Sequence, residues 1–147
     1  MKILRLILGD QLNPNHSWFK NTDDEILYVL MEVKQETNYV LHHAQKILAI
    51  FAAMRDFKSM LAKKNHQVIY FKINEKSNQQ SFKLNLNTLF TQHNIQKFEY
   101  LEPDEYRLDH DLTEFCTEIS IPSECFSSEH FYTNRSEVNE IFTDKKQ

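Results

Sequence analysis

The residues able to do chemistry in this chain gather in three short stretches, each directly behind an apolar run. Gly9-Asp10-Gln11-Leu12 follows Ile3–Leu8, and Glu32-Val33-Lys34-Gln35-Glu36-Thr37-Asn38-Tyr39 follows Glu25–Met31. Glu102-Pro103-Asp104-Glu105-Tyr106 follows Lys97–Leu101. Their shared character is acidic and aromatic: Asp10, Glu32, Glu36 and Glu102, with Tyr39 and Tyr106. Carboxylates and amides accept hydrogen bonds from a neutral, donor-bearing heterocycle or a polyol, and a tyrosine can stack on a flat ring. Such a cluster would repel a pyrophosphate, and neither G-x-G-x-x-G nor a Walker pattern is present. A divalent cation is the competing occupant, since hard cations take several oxygen ligands. The bland alternative for each acid is a helix cap or a solvated loop. Glu36 in particular lies close to a helix N-terminus, where the dipole favours it.

Gly9 sharpens the first stretch. It is the single glycine in 147 residues, where average usage would give roughly ten. Glycine admits positive φ and lets another group approach the backbone closely. Gly9 is therefore expected to make a tight, positive-φ turn that a ligand or neighbouring backbone approaches. Other polar residues carry less. His42 and His43 are adjacent, so on a helix they diverge by about 100° and cannot share a metal. Lys46 reads as a surface cation, and Trp18 as a packing anchor for the loop it sits in. No G-x-S-x-G elbow, zinc signature or Cys–His pair is present. On its own residues the chain reads as a binding module with no metal site.

The elements that must position these stretches alternate. Ile3–Leu8, Glu25–Met31, Val68–Ile73 and Lys97–Leu101 read as strands, and the first two are nearly continuous apolar runs, as strands covered on both faces are. Between Tyr39 and Lys64, the residues Val40, Ala44, Ile47, Phe51, Met54, Phe57 and Leu61 step by three and four, which predicts one long amphipathic helix. Helices are also predicted over Phe82–His93 and Asp104–Glu118. Ile119–Phe126 reads as a fifth strand, and Pro122 assigns it to an edge. Strands separated by helices imply right-handed crossovers. The fold class is therefore α/β: a doubly wound, five-stranded parallel sheet with helices on both faces. In such a sheet ligands bind outside the carboxyl ends of the strands, where the three stretches would meet.

Composition bounds the rest. Hydrophobic residues at 41%, charged residues at 26% and 11 Phe describe a folded chain with one core. A net charge of −4 offers nucleic acid no overall basic face. No membrane span or signal peptide is expected, which points to the cytoplasm. Cys116 and Cys125 match no C-x-x-C pattern and read as small buried hydrophobes. From Thr133 the sequence turns polar, with Val138, Ile141 and Phe142 lacking an evident partner.

Several of these residues, taken in order, carry a resemblance. Leu8-Gly9-Asp10-Gln11-Leu12, Glu32-Val33, Glu36, Tyr39-Val40, His42-His43, Gln45-Lys46 and Glu102-Pro103-x-Glu105-Tyr106-Arg107 resemble the cryptochrome/photolyase family. The branch is that of the bacterial, iron–sulfur "deoxyribodipyrimidine photolyase-related" proteins, and the likeness covers nearly the whole chain. It implies that residues 1–132 form an N-terminal, Rossmann-like antenna domain, with 133–147 a polar linker toward a helical C-terminal domain. In that branch the antenna pigment is 6,7-dimethyl-8-ribityllumazine. Carried over by position, Gly9, Asp10, Gln11, Val33, Glu36, Tyr39 and Glu102 would form its site. FAD, a [4Fe–4S] cluster and the DNA groove would belong to the helical domain, since two cysteines cannot make a four-cysteine cluster. The whole protein, a monomer, would repair (6-4) photoproducts with light. A cryptochrome-like photoreceptor and a stand-alone nucleotide-binding domain are the alternatives.

Overall fold

The apolar runs Ile3–Leu8 and Glu25–Met31 give inner strands, and the segment interrupted by Pro122 gives one edge. The structure is a computed structural model that describes residues 1–38, 43–133 and 137. Strands β1 (Ile3–Leu6), β2 (Ile26–Met31), β3 (Gln67–Phe71), β4 (Lys97–Leu101) and β5 (Ser123–Phe126) form one sheet, all parallel, in the order β3-β2-β1-β4-β5. Leu6 pairs with Val29 on one side and Tyr100 on the other. Pro122, which has no N–H to donate, stands just before β5, and β5 lies at the edge as its sequence requires.

Side chains alternate across the sheet and build a core on each face. On one, Leu4, Leu6, Leu27, Val29 and Met31 pack against helices α3 (Phe82–Gln92) and α4 (Tyr106–Glu118) through Phe82, Leu86, Leu89, Leu108, Leu112 and Phe115. On the other, Ile7, Tyr28 and Leu30 pack against Met54, Phe57 and Leu61 of helix α2 (Ala44–Lys63). Burying side chains of this size stabilises by roughly 1.5–3 kcal/mol each. Trp18 anchors the β1–β2 loop as expected, packed beside Tyr28 and Phe126 with the Arg5 guanidinium 4.6 Å from its ring centroid.

Three local expectations change. The stretch Lys34–Asn38 forms a separate short helix, α1, and in the described residues the long helix begins only at Ala44, with His43 as its N-cap accepting from the Gln45 N–H. Tyr39, Val40, Leu41 and His42 lie outside the described residues, as do 134–136 and 138–147, so most of the linker reading falls there too. Gly9 does not have positive φ. Finally, Cys125 is exposed and Cys116 half-buried, so only the second acts as an apolar filler, packed against the α3/α4 core. No described helix is long and apolar enough to cross a membrane.

Candidate functional site

The carboxyl ends of β1 and β2 open into a cavity of about 260 Å³. Leu8, Gly9 and Asp10 enter it from β1, and Met31 and Val33 from β2. Glu36 and Thr37 come from α1, and Lys46, Ile47, Ile50, Phe51 and Met54 from α2. Phe82 of α3, with Glu105 and Leu108 at the start of α4, completes it. The apolar stripe of α2 thus divides. Met54, Phe57 and Leu61 are buried, whereas Ile47, Ile50 and Phe51, nearer the N-terminus, are only partly buried and wall the cavity. Apolar side chains thus wall the cavity and acidic ones rim it.

Gly9 shapes that wall by closeness rather than by turn geometry. A Cβ at position 9 would lie 3.0 Å from Ile50 Cγ2 and 3.2 Å from Met54 Sδ. Both side chains line the cavity, so the missing methyl sets how near α2 can stand to β1. Where the sequence leads us to expect a ligand or neighbouring backbone, the groups that approach Gly9 are the side chains of Ile50 and Met54 on α2.

The rim is acidic and only partly neutralised. Arg107 Nη2 donates to both Glu36 oxygens at 3.1 Å. The same guanidinium donates to Glu105 through Nε and Nη2, each at 3.0 Å. Burial raises the Glu36 carboxyl above its ordinary range, and the charge and hydrogen bonds of Arg107 do not fully reverse it, with Glu105 and Asp10 pushing upward as well. Asp10 is exposed, yet desolvation by the surrounding protein raises its carboxyl too, opposed by a backbone hydrogen bond and aided by Asp104. Asp104 in turn meets His130 Nδ1 at 3.2 Å.

Three of the predicted acceptors stand elsewhere or are spent. Glu32 is fully buried and does not line the cavity. Its carboxylate accepts from Arg55 Nε at 2.7 Å and Nη2 at 2.9 Å, from Tyr70 Oη at 2.6 Å and from the Ile73 N–H at 2.9 Å. Burial works to raise this carboxyl, but those four hydrogen bonds outweigh it and hold the group below its usual value. Gln11 is buried, accepting from the Leu8 N–H at 3.1 Å and donating to the Leu101 and Glu102 carbonyls at 3.2 Å. It stitches the β1 exit to the end of β4. Glu102 continues the sheet instead, its N–H bonded to the Phe126 carbonyl at 2.7 Å, and does not line the cavity.

Of the seven predicted site residues, then, Gly9, Asp10, Val33 and Glu36 meet at one cavity, Gln11 and Glu102 do not, and Tyr39 lies outside the described residues. Glu105, which lines the cavity, and Arg107, which bonds Glu36, were not among the predicted site residues. Their signal was present: an arginine two residues past an acidic helix start, where the dipole favours anions. Among the described residues no group of three or more His, Cys, Asp or Glu is arranged to hold a metal. What the site can do is hold a flat molecule against α2 and accept hydrogen bonds from its edge.

Comparison with known proteins agrees with the fold. Over 138 residues, 93% of the chain, it is 32% identical to a protein of Agrobacterium fabrum (strain C58 / ATCC 33970) named "(6-4) photolyase". The chain spans only 27% of that relative's length. Residues 5–147 match the family described as "Deoxyribodipyrimidine photo-lyase-related protein". With that match running over nearly its whole length, on an all-parallel α/β sheet, the chain belongs to the deoxyribodipyrimidine photo-lyase-related family.

Proposed function

We propose that this chain is the light-harvesting domain of a photolyase-like flavoprotein, and that its cavity binds 6,7-dimethyl-8-ribityllumazine. The observation that carries the reading is the pairing of an apolar wall (Val33, Ile50, Phe51, Met54) with a carboxylate rim (Asp10, Glu36, Glu105) in one cavity. A pteridine-dione ring is flat and fits the wall, while its ring N–H and the ribityl hydroxyls are donors that carboxylates accept. The pigment has no phosphate, so it needs no cationic cradle, and the rim would oppose one. At about 260 Å³ the cavity lies just under the roughly 300–1,000 Å³ of small-molecule sites, which suits a ligand smaller than a dinucleotide.

When bound, the pigment would absorb blue or near-UV light and pass the excitation to FAD. The protein's part is to orient the ring, exclude water from its faces and hold acceptors at its edge. FAD, the [4Fe–4S] cluster and the DNA contact would belong to a helical domain outside this chain. Repair of (6-4) photoproducts by the whole protein is proposed from the name of the Agrobacterium relative. Titrating the purified chain with 6,7-dimethyl-8-ribityllumazine and following absorption and fluorescence tests the reading. Saturable binding with a shifted band is expected. A chain folded by circular dichroism that retains no pigment would remove the antenna assignment.

A further inference from the structure

Helix α4 begins against two local rules. Glu105 occupies its N-cap position, yet its side chain makes no capping hydrogen bond. Arg107 then stands in the first turn, where the exposed N–H groups carry positive partial charge and a cation is disfavoured. Sequences break such rules chiefly where a site demands it. Here both departures serve one arrangement. Glu105 turns from the helix end to Arg107, and Arg107 reaches across to Glu36 on α1. A single guanidinium thereby bridges two elements 71 positions apart in sequence.

The bridge is economical. Arg107 Nη2 alone spans both Glu36 oxygens at 3.1 Å while it also donates to Glu105, a shared contact that leaves a lone pair on each Glu36 oxygen for a further donor. Glu36 lines the cavity, and its side chain is only 26% exposed. Among the described residues, the other charged groups facing Glu36 and its partners are Glu105 and Asp111 on α4, Asp10 and Asp104 on the loops, His130 beyond β5 and Lys46 on α2. Glu105 and Asp10 act on Glu36 in the direction of protonation, and Arg107 opposes them. Without Arg107, a half-buried carboxylate would face its like-charged neighbours with no bonded cation.

We propose that Arg107 is a positioning residue, whose contact with both Glu36 oxygens holds that carboxylate at the cavity rim as the acceptor for a ring N–H or hydroxyl of the bound chromophore. Glu105 is the counterweight that fixes the guanidinium. This inference rests on the antenna reading for the identity of the ligand. The clamp and its effect on Glu36 stand without it.

The experiment titrates 6,7-dimethyl-8-ribityllumazine into the chain and its Arg107→Met and Arg107→Lys variants between about pH 4 and pH 9, upward from the ordinary carboxyl value. Carbon-13 NMR follows the Glu36 carboxyl in the same samples without pigment. Arg107→Met is expected to bind about 10- to 100-fold more weakly at neutral pH, the scale of one lost charge-assisted hydrogen bond. Its remaining affinity should climb with pH as Glu36 loses its proton, and the Glu36 titration should move upward in the pigment-free spectra. Arg107→Lys keeps the charge but loses the Nε contact that ties the cation to Glu105, and should recover the flat pH profile with part of the affinity. A merely structural arginine would change the melting temperature and leave both the pH profile and the Glu36 titration in place, and that result overturns the proposal. If the parent chain binds no pigment, the antenna reading fails, and the Glu36 titration alone decides the role of Arg107. If Arg107→Met does not fold, Glu105→Gln replaces it, with about threefold weaker binding and a smaller upward move of Glu36 expected. No change in either would equally overturn the proposal.

Discussion

Glu32 and Glu36 sit four positions apart behind the same strand, and the molecule treats them in opposite ways. Glu32 is fully buried and its oxygens receive four hydrogen bonds, from Arg55 twice, Tyr70 and the Ile73 backbone. Glu36 is partly exposed at a cavity and receives donors from one arginine that it shares with Glu105. The first carboxylate is saturated and sits below its ordinary pKa, while the second is undersupplied and sits above it. An acid with its full complement of donors ties α2, β2 and β3 together. One left short of them, beside a hollow, keeps acceptor capacity to spare.

Substitutions at the two positions should separate these roles. Glu32→Ala removes the shared partner of Arg55 and Tyr70, and is expected to lower unfolding free energy by about 3 kcal/mol, seen as a lower denaturant midpoint at unchanged slope. A loss below about 0.5 kcal/mol would erase the contrast. Gly9→Val probes the wall that faces Glu36. Its branches would push on Ile50 and Met54, costing about 1–3 kcal/mol of stability and narrowing the cavity. Unchanged melting together with undiminished pigment binding would show that α2 is free to move back. Glu36→Ala should weaken chromophore binding by about 1–3 kcal/mol in a titration while leaving thermal unfolding nearly unaltered.

Acidity gives the smallest and most diagnostic contrast. Glu32 is depressed in the folded state, so the stability it supplies is present above the unfolded carboxyl value and is lost as pH falls through its lower folded value. Glu36 and Asp10 are raised, so between the unfolded and folded values the native state binds more protons. Their contribution improves as pH falls through that window and declines as pH rises through it. Unfolding midpoints of Glu32→Gln and Glu36→Gln against pH should therefore diverge from the parent with opposite slopes. Parallel curves would mean that the two environments are alike.

The sheet was legible in the sequence because its strands are apolar runs and its edge carries Pro122. The site was half legible. Position behind a strand identifies a rim residue but not the side to which it turns. Glu32 continues the alternation of Tyr28 and Leu30 toward α2, where Arg55 waits, whereas Val33 continues that of Met31 toward the α3/α4 core. Counting parity past the end of β2 would have assigned Glu32 to the structural side. The break between α1 and α2 was hidden by apolar spacing that runs unbroken from Val40 to Leu61. Gln11 looked like an acceptor for a ligand because nothing in its own neighbourhood names the β4 carbonyls 90 positions away that occupy it.

That glutamine has a wider effect on where a guest can settle. In doubly wound sheets the natural berth is the gap at the strand-order reversal, here between β1 and β4. Gln11 fills this gap with its own amide, acting as a permanent tenant that mimics a ligand's hydrogen bonds to both strands. The cavity opens beside that amide, walled by the ends of β1 and β2, by α2 and by the start of α4, beneath a helix whose distance from the sheet depends on a single absent methyl group.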